Sequence, residues 1–311
     1  MIRTARSGAI RQRSSTIRET GADRIFGIAV YIFLGLIGGL ILYPVIYILS
    51  SSFSSGAAVL AGKVWLWPIH PTLTGYLAVF SDNAVWTGFL NSIIYTVGGT
   101  VLSVCLTIAM AYPLSRQDVV GRKVWIFMVL FALLFSGGLI PLYLVVKNLG
   151  LINTRWAIIL PTAMNIFAII VAKTFFQTTI PNDLYEAAQL DGCGDFRFLI
   201  SVVLPVSTPI IAVLVLWAAV GQWNSYLPAL IYLNSQSLYP LQLVLRDILV
   251  LNQLNFTTMG NLSPTELLHL QNMEELLKYS LIVISTIPIL LLYPFVQKYF
   301  VRGIFLGSVK E

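Results

Sequence analysis

The sequence contains few charged residues. Only 10% of its 311 residues are Asp, Glu, Lys or Arg, whereas 57% are hydrophobic, and the mean hydropathy is +0.83. A soluble domain carries about a quarter charged residues. The composition therefore excludes a soluble globular domain and predicts a polytopic membrane protein. The net charge of +6 does not indicate a nucleic-acid partner, because the basic residues are spread over the predicted membrane flanks.

Cysteine and histidine are also scarce, with two of each in the chain. Cys105 lies in a predicted span and Cys193 in a predicted cytoplasmic loop, so the thiols cannot pair and no disulfide or metal site is predicted. His70 and His269 are isolated, and we expect both on the extracytoplasmic surface. No cluster of nucleophile, base and metal ligands supports a membrane enzyme.

Two further absences bear on the source of energy for transport. The phosphate-binding pattern G-x-x-x-x-G-K-[ST] does not occur, and Gly192-Cys193-Gly194 follows no predicted strand, so it predicts only a turn. Any ATP hydrolysis must come from another polypeptide. The centres of the predicted spans hold no ionisable residue, since Lys173 lies near an inner end. An ion-coupled secondary transporter usually needs such residues, so their absence favours a neutral, hydrogen-bonding pathway.

Long apolar stretches predict six transmembrane helices, each of roughly 20 residues. They lie near 26–50, 88–113, 124–146, 156–178, 200–222 and 278–299. With the N-terminus inside, 14 of the 19 Lys and Arg residues lie on cytoplasmic segments, which places both termini in the cytoplasm. We divide the chain into a basic cytoplasmic N-terminal segment, a transmembrane domain and a cytoplasmic C-terminal tail, at 1–24, 25–303 and 304–311.

The loop between the fourth and fifth predicted spans, about 181–200, has an unusual pattern. Pro181 and Asp183 favour the start of a helix, and Gly192 permits a sharp change of direction after it. We therefore predict a short helix, a glycine corner and a second short helix, which together form a rigid knob suited to a socket on a partner. Segment 181–197 carries a net charge of −3, which favours a basic socket. Three apolar side chains are predicted to fill pockets there, namely Leu190, Phe196 and Phe198.

The same loop reads E-A-A, three residues, then G, from Glu186 to Gly192, with Leu204-Pro205 twelve residues further on. This resembles the cytoplasmic loop of permease subunits of binding-protein-dependent ABC importers, although Val202 stands where isoleucine is usual. The resemblance extends to the segments 139–143, 150–154, 222–224 and 293–303. It is similar in particular to the maltose-G-type partner of a heterodimer, in the branch for oligosaccharides from complex polysaccharides such as alginate or pectin.

The resemblance implies an all-α fold of six transmembrane helices, the type I importer (MetI-like, maltose-type) permease fold, in a bacterial cytoplasmic (inner) membrane. It implies four kinds of protein or lipid neighbour: a second homologous permease, an ATPase dimer that binds ATP and magnesium, an extracytoplasmic solute-binding protein, and membrane lipid. The chain itself would bind no cofactor and catalyse no reaction. The residues expected to couple to the ATPase are Glu186, Ala187, Ala188, Asp191, Gly192, Leu204 and Pro205.

Polar and aromatic residues within and beside the spans are candidates for an oligosaccharide pathway, because amides and aromatic rings suit sugar hydroxyls and sugar faces. The candidates are Asn165, Gln222, Trp223, Asn224 and Tyr226. Each of them also suits an interhelical hydrogen bond or an interfacial anchor. A charged uronide would require Lys or Arg in the pathway, and the sequence indicates none, although the partner permease or the binding protein could supply it. An importer of a non-sugar solute and an ion-coupled transporter remain the alternatives.

Overall fold

The computed structural model describes residues 21–248 and 263–307, which are mostly helical and contain no β-strand. The all-α prediction is confirmed. The described helices are α1 (Gly21–Ser52), α2 (Gly56–Leu60), α3 (Thr74–Ser81), α4 (Asn83–Ser115), α5 (Arg122–Leu134), α6 (Leu139–Asn148), α7 (Trp156–Ile159), α8 (Ile166–Thr179), α9 (Asn182–Leu190), α10 (Asp195–Phe198), α11 (Leu204–Val206), α12 (Thr208–Trp223), α13 (Leu227–Tyr232), α14 (241–248) and α15 (Pro264–Gly307). Of the predicted terminal segments, 1–20 and 308–311 lie outside the described residues.

The chain divides into two compact units, 1–47 and 48–311. The described part of the first unit is helical from residue 21, so the helix begins four residues before the predicted domain boundary. Its hydrophobic side chains are largely exposed, as expected of a helix that faces lipid. The second unit contains the remaining helices and both candidate sites described below.

Three of the described helices are long and apolar enough to cross a membrane, namely Gly21–Ser52, Asn83–Ser115 and the Leu270–Pro294 part of α15. They correspond to the first, second and sixth predicted spans. The third predicted span, 124–146, is not one helix, because α5 and α6 are bent by 112° with respect to each other. The backbone turns at Gly138, whose φ of +80° is costly for any other residue.

The fourth and fifth predicted spans are broken as well. Within 156–178, α7 ends at Ile159, and α8 starts only at Ile166, where the Asn165 side chain caps it by accepting from the Ala168 N–H at 3.1 Å. Within 200–222, the helical segment 195–206 makes an angle of 84° with α12. Pro209 follows this bend and cannot donate the backbone hydrogen bond that a continuous helix requires.

Helix α4 is the central element of the second unit and packs against both α8 and α12. Every fourth residue along one of its faces is buried, as a period of 3.6 residues dictates. These buried residues are Asn91, Tyr95, Gly99, Ser103 and Thr107. A Cβ on Gly99 would lie 2.5 Å from the Gln222 side chain, so the glycine is what allows α12 to approach.

The predicted extracytoplasmic stretch after residue 224 contains two further helices, α13 and α14, before its undescribed part. Asn153, at a φ of +60°, holds this region by accepting from the backbone N–H groups of Asn234 and Ser235 at 3.0 and 2.9 Å. His70 is exposed, as expected. Among the described residues there is no cluster of potential metal ligands, and both cysteines are free.

Candidate coupling joint and polar cleft

The predicted knob forms as a helix, a glycine corner and a second helix. Helix α9 follows Pro181 and has Asp183 in its first turn, where a carboxylate stabilises the helix N-terminus. Gly192 takes a φ of +74°, and its N–H donates to the Gln189 carbonyl at 2.9 Å. The next N–H, that of Cys193, donates to Ala188 at 2.9 Å. This pair of bonds is a Schellman termination of the helix, so the predicted corner is confirmed.

One tyrosine joins the two helices of the knob. The buried Tyr185 hydroxyl donates to the Asp195 carboxylate and accepts from the Gln189 amide at 2.7 Å. Its ring meets the Phe198 ring edge to face at 5.2 Å. The hydrogen bond to Asp195, together with burial, raises the pKa of Tyr185, so the phenol remains a neutral donor at physiological pH. These contacts fix the angle between α9 and α10.

An arginine connects the knob to the end of α4. The Arg116 guanidinium carbon lies 3.1 Å from the centroid of the Tyr185 ring, a cation–π contact. Two guanidinium nitrogens of Arg116 donate to the Asp118 carboxylate, each at 3.1 Å, and these bonds lower the pKa of Asp118. We call residues Arg116, Asp118, Tyr185 and Asp195 the latch.

The latch was not predicted from the sequence. Tyr185 did carry a signal, because it is the aromatic residue of this short helix and lies four positions before Gln189. Arg116 carried none, since nothing in its neighbourhood along the chain indicates contact with a residue in the next cytoplasmic loop.

The knob presents most of its predicted coupling residues on its surface. Ala188 and Leu204 are half-buried, whereas the exposed coupling residues are Glu186, Ala187, Asp191, Gly192 and Pro205. Two large apolar side chains are also exposed to solvent, Leu190 by 90% and Phe196 by 74%. The prediction for Phe198 was wrong: this ring is fully buried within its own chain, so it cannot fill a pocket on a partner.

A cleft of about 180 Å³ lies between α4, α8 and α12 and contains two of the predicted pathway residues, Asn165 and Gln222. The Gln222 amide donates to the Thr162 hydroxyl at 2.7 Å. Its buried Oε1 has no hydrogen-bond partner among the described residues. Ser103 and Thr107 from α4 add hydroxyl groups to the lining. The cleft therefore has several hydroxyl and amide side chains in its lining. We call it the polar cleft.

The other three predicted pathway residues lie elsewhere. Trp223 is buried, donates its indole N–H to the Ser285 carbonyl at 2.9 Å and packs edge to face on Phe89. The exposed Asn224 donates to the Val220 carbonyl of its own helix end at 3.0 Å. Tyr226 is 44% exposed. In this conformation Trp223 thus packs within the chain, and its indole N–H is already bonded, so it is not available to a sugar.

The sequence also matches known proteins over most of its length. Residues 84–306 fit the family described as "Binding-protein-dependent transport system inner membrane component". The polygalacturonan/rhamnogalacturonan transport system permease protein YtcP of Bacillus subtilis (strain 168) is 42% identical over 291 residues, covering 93% of this chain and 99% of that protein. The LplC protein of the same organism is 42% identical over 298 residues, covering 95% and 98%.

A solved structure agrees with these relatives. It is the crystal structure of a bacterial ABC transporter involved in the import of the acidic polysaccharide alginate, and one of its chains superposes with a TM-score of 0.80 at 36% identity. The match covers 90% of this chain and 98% of that one. The family match spans well over half of the sequence. This chain therefore belongs to the inner membrane components of binding-protein-dependent transport systems, as a multi-pass permease subunit that is not itself an enzyme.

Proposed function

We propose that this chain forms half of the translocation pathway of an ATP-driven importer for oligosaccharides derived from acidic polysaccharides. The similarity to a polygalacturonan/rhamnogalacturonan permease over 99% of that protein, and to a chain of an alginate importer, supports this substrate class. In this proposal the second half of the pathway is a homologous permease, and an extracytoplasmic solute-binding protein delivers the sugar. Both termini of the chain lie in the cytoplasm.

In this proposal the knob binds the ATPase. The observation that supports this role is that the interior of the knob is held together by its own contacts, whereas large apolar side chains are exposed on its surface. The interior is fixed by Tyr185 and Phe198, whereas Leu190 and Phe196 project outward. Large apolar side chains on a loop outside the membrane favour cover by a protein partner. Glu186 and the neighbouring carboxylates supply a charge that suits a basic groove.

The latch would transmit movement of the knob to the helices that line the pathway. ATP binding would close the two ATPase subunits and displace the knob as a rigid body. Because Arg116 at the end of α4 contacts Tyr185, the displacement reaches α4 directly. The buried polar face of α4 contributes to the polar cleft, so movement of α4 changes the shape of the cleft. Such rigid-body switching between two packed states is a common form of alternating access.

The polar cleft would contact sugar hydroxyls during passage. Gln222 and Asn165 each contribute an amide side chain to the lining, and both suit a neutral, hydroxyl-rich ligand. Asn224 and Tyr226 lie next to the end of α12 and would extend the contact surface. We assign Trp223 a packing role in the present conformation, because its indole N–H is already bonded to Ser285.

Co-purification of the ATPase with permease variants tests the joint. We expect Glu186→Ala combined with Phe196→Ala to reduce ATPase recovery by about tenfold or more, because a few central side chains carry most of the energy of an interface. Glu274→Ala is the matched control, since this acid lies on α15 in the predicted extracytoplasmic region. Undiminished recovery with inserted, folded permease would show that the knob does not dock the ATPase.

Transport assays decide between the classes of transporter. Proteoliposomes that contain the permeases, the binding protein and the ATPase should accumulate oligosaccharide only with ATP. Uptake that persists after omission of the ATPase would favour the ion-coupled alternative. ATP-dependent uptake of a peptide or polyamine in place of sugar would retain the importer class and reject the carbohydrate substrate.

A further inference from the structure

Arg155 lies between α6 and α7, on a connection that the predicted topology places outside the membrane. Its side chain is exposed, and its Nη2 donates to the Asn91 Oδ1 of α4 at 3.4 Å. The guanidinium also interacts with the Tyr95 hydroxyl, one turn further along the same face of α4. Two buried neutral side chains therefore position an exposed cation.

The orientation of Asn91 is fixed by other bonds. Its amide nitrogen donates to two backbone carbonyls, those of Ser237 at 2.8 Å and Tyr239 at 3.1 Å, and its side chain is almost fully buried. The oxygen can then only face Arg155. The Tyr95 hydroxyl donates to the Leu238 carbonyl at 2.7 Å, which leaves its lone pairs for the guanidinium. Both residues act as acceptors that hold the arginine in place.

The positive charge of Arg155 is positioned, and no acidic side chain among the described residues forms an ion pair with it. The ion pairs within the described residues join Arg116 to Asp118, Arg246 to Asp247 and Lys278 to Glu275, and none includes Arg155. A guanidinium has five N–H donors, and contacts to Asn91 and Tyr95 occupy only part of this set. The remaining donors suit a planar carboxylate, which an arginine binds through two parallel bonds.

The location of Arg155 connects it to the polar cleft. From Asn91 to Thr107 the buried face of α4 is a line of polar or small residues about 24 Å long, from a rise of 1.5 Å per residue. Arg155 lies at the Asn91 end of this line, and the polar cleft lies at the Thr107 end. In this conformation the line is covered by neighbouring segments, so a ligand would meet the arginine first and would reach the amide-lined cleft only after those segments move away from α4.

We propose that Arg155 binds a carboxylate of the transported oligosaccharide at the extracytoplasmic end of the pathway and selects for acidic sugars. This proposal rests on the proposed function. It also revises the expectation from the sequence that the pathway of this chain contains no cation for a uronide. The predicted topology places Arg155 on an outside loop, and only its bond to Asn91 brings it to the face of α4.

The experiment uses the complete importer in proteoliposomes, with a galacturonic acid trimer as probe and a galactose trimer as the neutral comparison, each at a concentration that saturates the binding protein. Arg155→Gln should reduce uptake of the acidic trimer per ATP hydrolysed by about tenfold, the value of one lost charge-assisted contact. Arg155→Lys should lose less, since it keeps the charge but not the planar fork. Uptake of the neutral trimer should not change.

Controls separate this role from three others. Lys147→Gln removes another exposed cation nearby in the sequence, in the last turn of α6, and should leave both uptakes unchanged. Equal loss of uptake and of ATP hydrolysis stimulated by the binding protein would assign Arg155 to protein docking and overturn the proposal. An effect that vanishes without anionic lipid would assign Arg155 to headgroup contact and would equally overturn it. If the wild-type importer takes up the neutral trimer but not the acidic trimer, the acidic substrate class is refuted, and this proposal with it.

Discussion

The knob and the polar cleft use their polar residues in opposite ways. In the knob the hydroxyl of the buried Tyr185 is bonded to the exposed Asp195 and Gln189, and Glu186, Leu190 and Phe196 are exposed as well. In the membrane region the buried Gln222 donates to Thr162, and its Oε1 is one of several buried side-chain atoms without a hydrogen-bond partner among the described residues. The proposed docking surface is thus marked by exposed charged and apolar side chains, whereas the polar cleft is marked by the amides and hydroxyls that line it.

The difference has a physical cause. On a loop in water an exposed carboxylate is well solvated, so a sequence can keep charges ready for a partner at little cost. Inside a bundle in the membrane, an unpaired polar group costs free energy, so most are satisfied by neighbours.

The largest expected effect comes from two phenylalanines in the knob. Phe198→Ala removes a fully buried ring and should destabilise the knob by about 3–5 kcal/mol. Phe196→Ala alters a ring that is 74% exposed and should leave the fold intact while it weakens ATPase binding. Limited proteolysis of the loop and ATPase co-purification distinguish the two. Equal proteolytic sensitivity of both variants would contradict the assigned burial.

Two adjacent glycines test the polar cleft. Gly99→Ala places a Cβ 2.5 Å from the Gln222 amide, which must move away from Thr162, with an expected cost of about 1–3 kcal/mol and reduced transport. Gly98→Ala meets only the tip of Ile159 at 3.4 Å and should be neutral. Thermal unfolding and sugar uptake are the measurements. A transport defect of the same size in both variants would contradict the idea that the Gln222–Thr162 hydrogen bond is needed for transport.

The glycine corner allows a smaller test. Gly192→Ala forces a side chain into a positive φ and should destabilise the knob by about 1–2 kcal/mol. Gly194→Ala is the matched control, since Gly194 has a φ of −73° and open space around it. The ATPase activity stimulated by the binding protein should fall in the first variant only. Equal activity in both would mean that the corner tolerates a different geometry.

The smallest expected effect is that of Tyr185→Phe. The change removes the hydroxyl that joins Asp195 and Gln189 but retains the ring against Arg116. We expect a loss of about 1 kcal/mol in knob stability, the usual contribution of a hydrogen bond. Tyr185→Ala, which also removes the ring, should uncouple transport from ATP hydrolysis far more. If the two variants behave alike, the cation–π contact carries no coupling.

Local features were predictable from the sequence. The start of α9, its end at the glycine corner and the acidic surface follow from residues within a few positions of one another, where helix capping decides the conformation. The continuous helices α1 and α4 follow from unbroken apolar length. The bend at Gly138 was missed, because hydropathy averaged over a span does not register a single residue that interrupts the helix.

By itself, the sequence determined that this protein lies in the membrane, which loop forms a rigid knob, and which charges that knob presents. The tertiary structure alone decided which of two nearby phenylalanines is buried, that Arg116 contacts Tyr185, that Gln222 meets Thr162 and that Arg155 rests on Asn91. The reason is that local hydrogen bonding and hydropathy act along the chain. These contacts join residues far apart in sequence, and only the packing of helices brings them together.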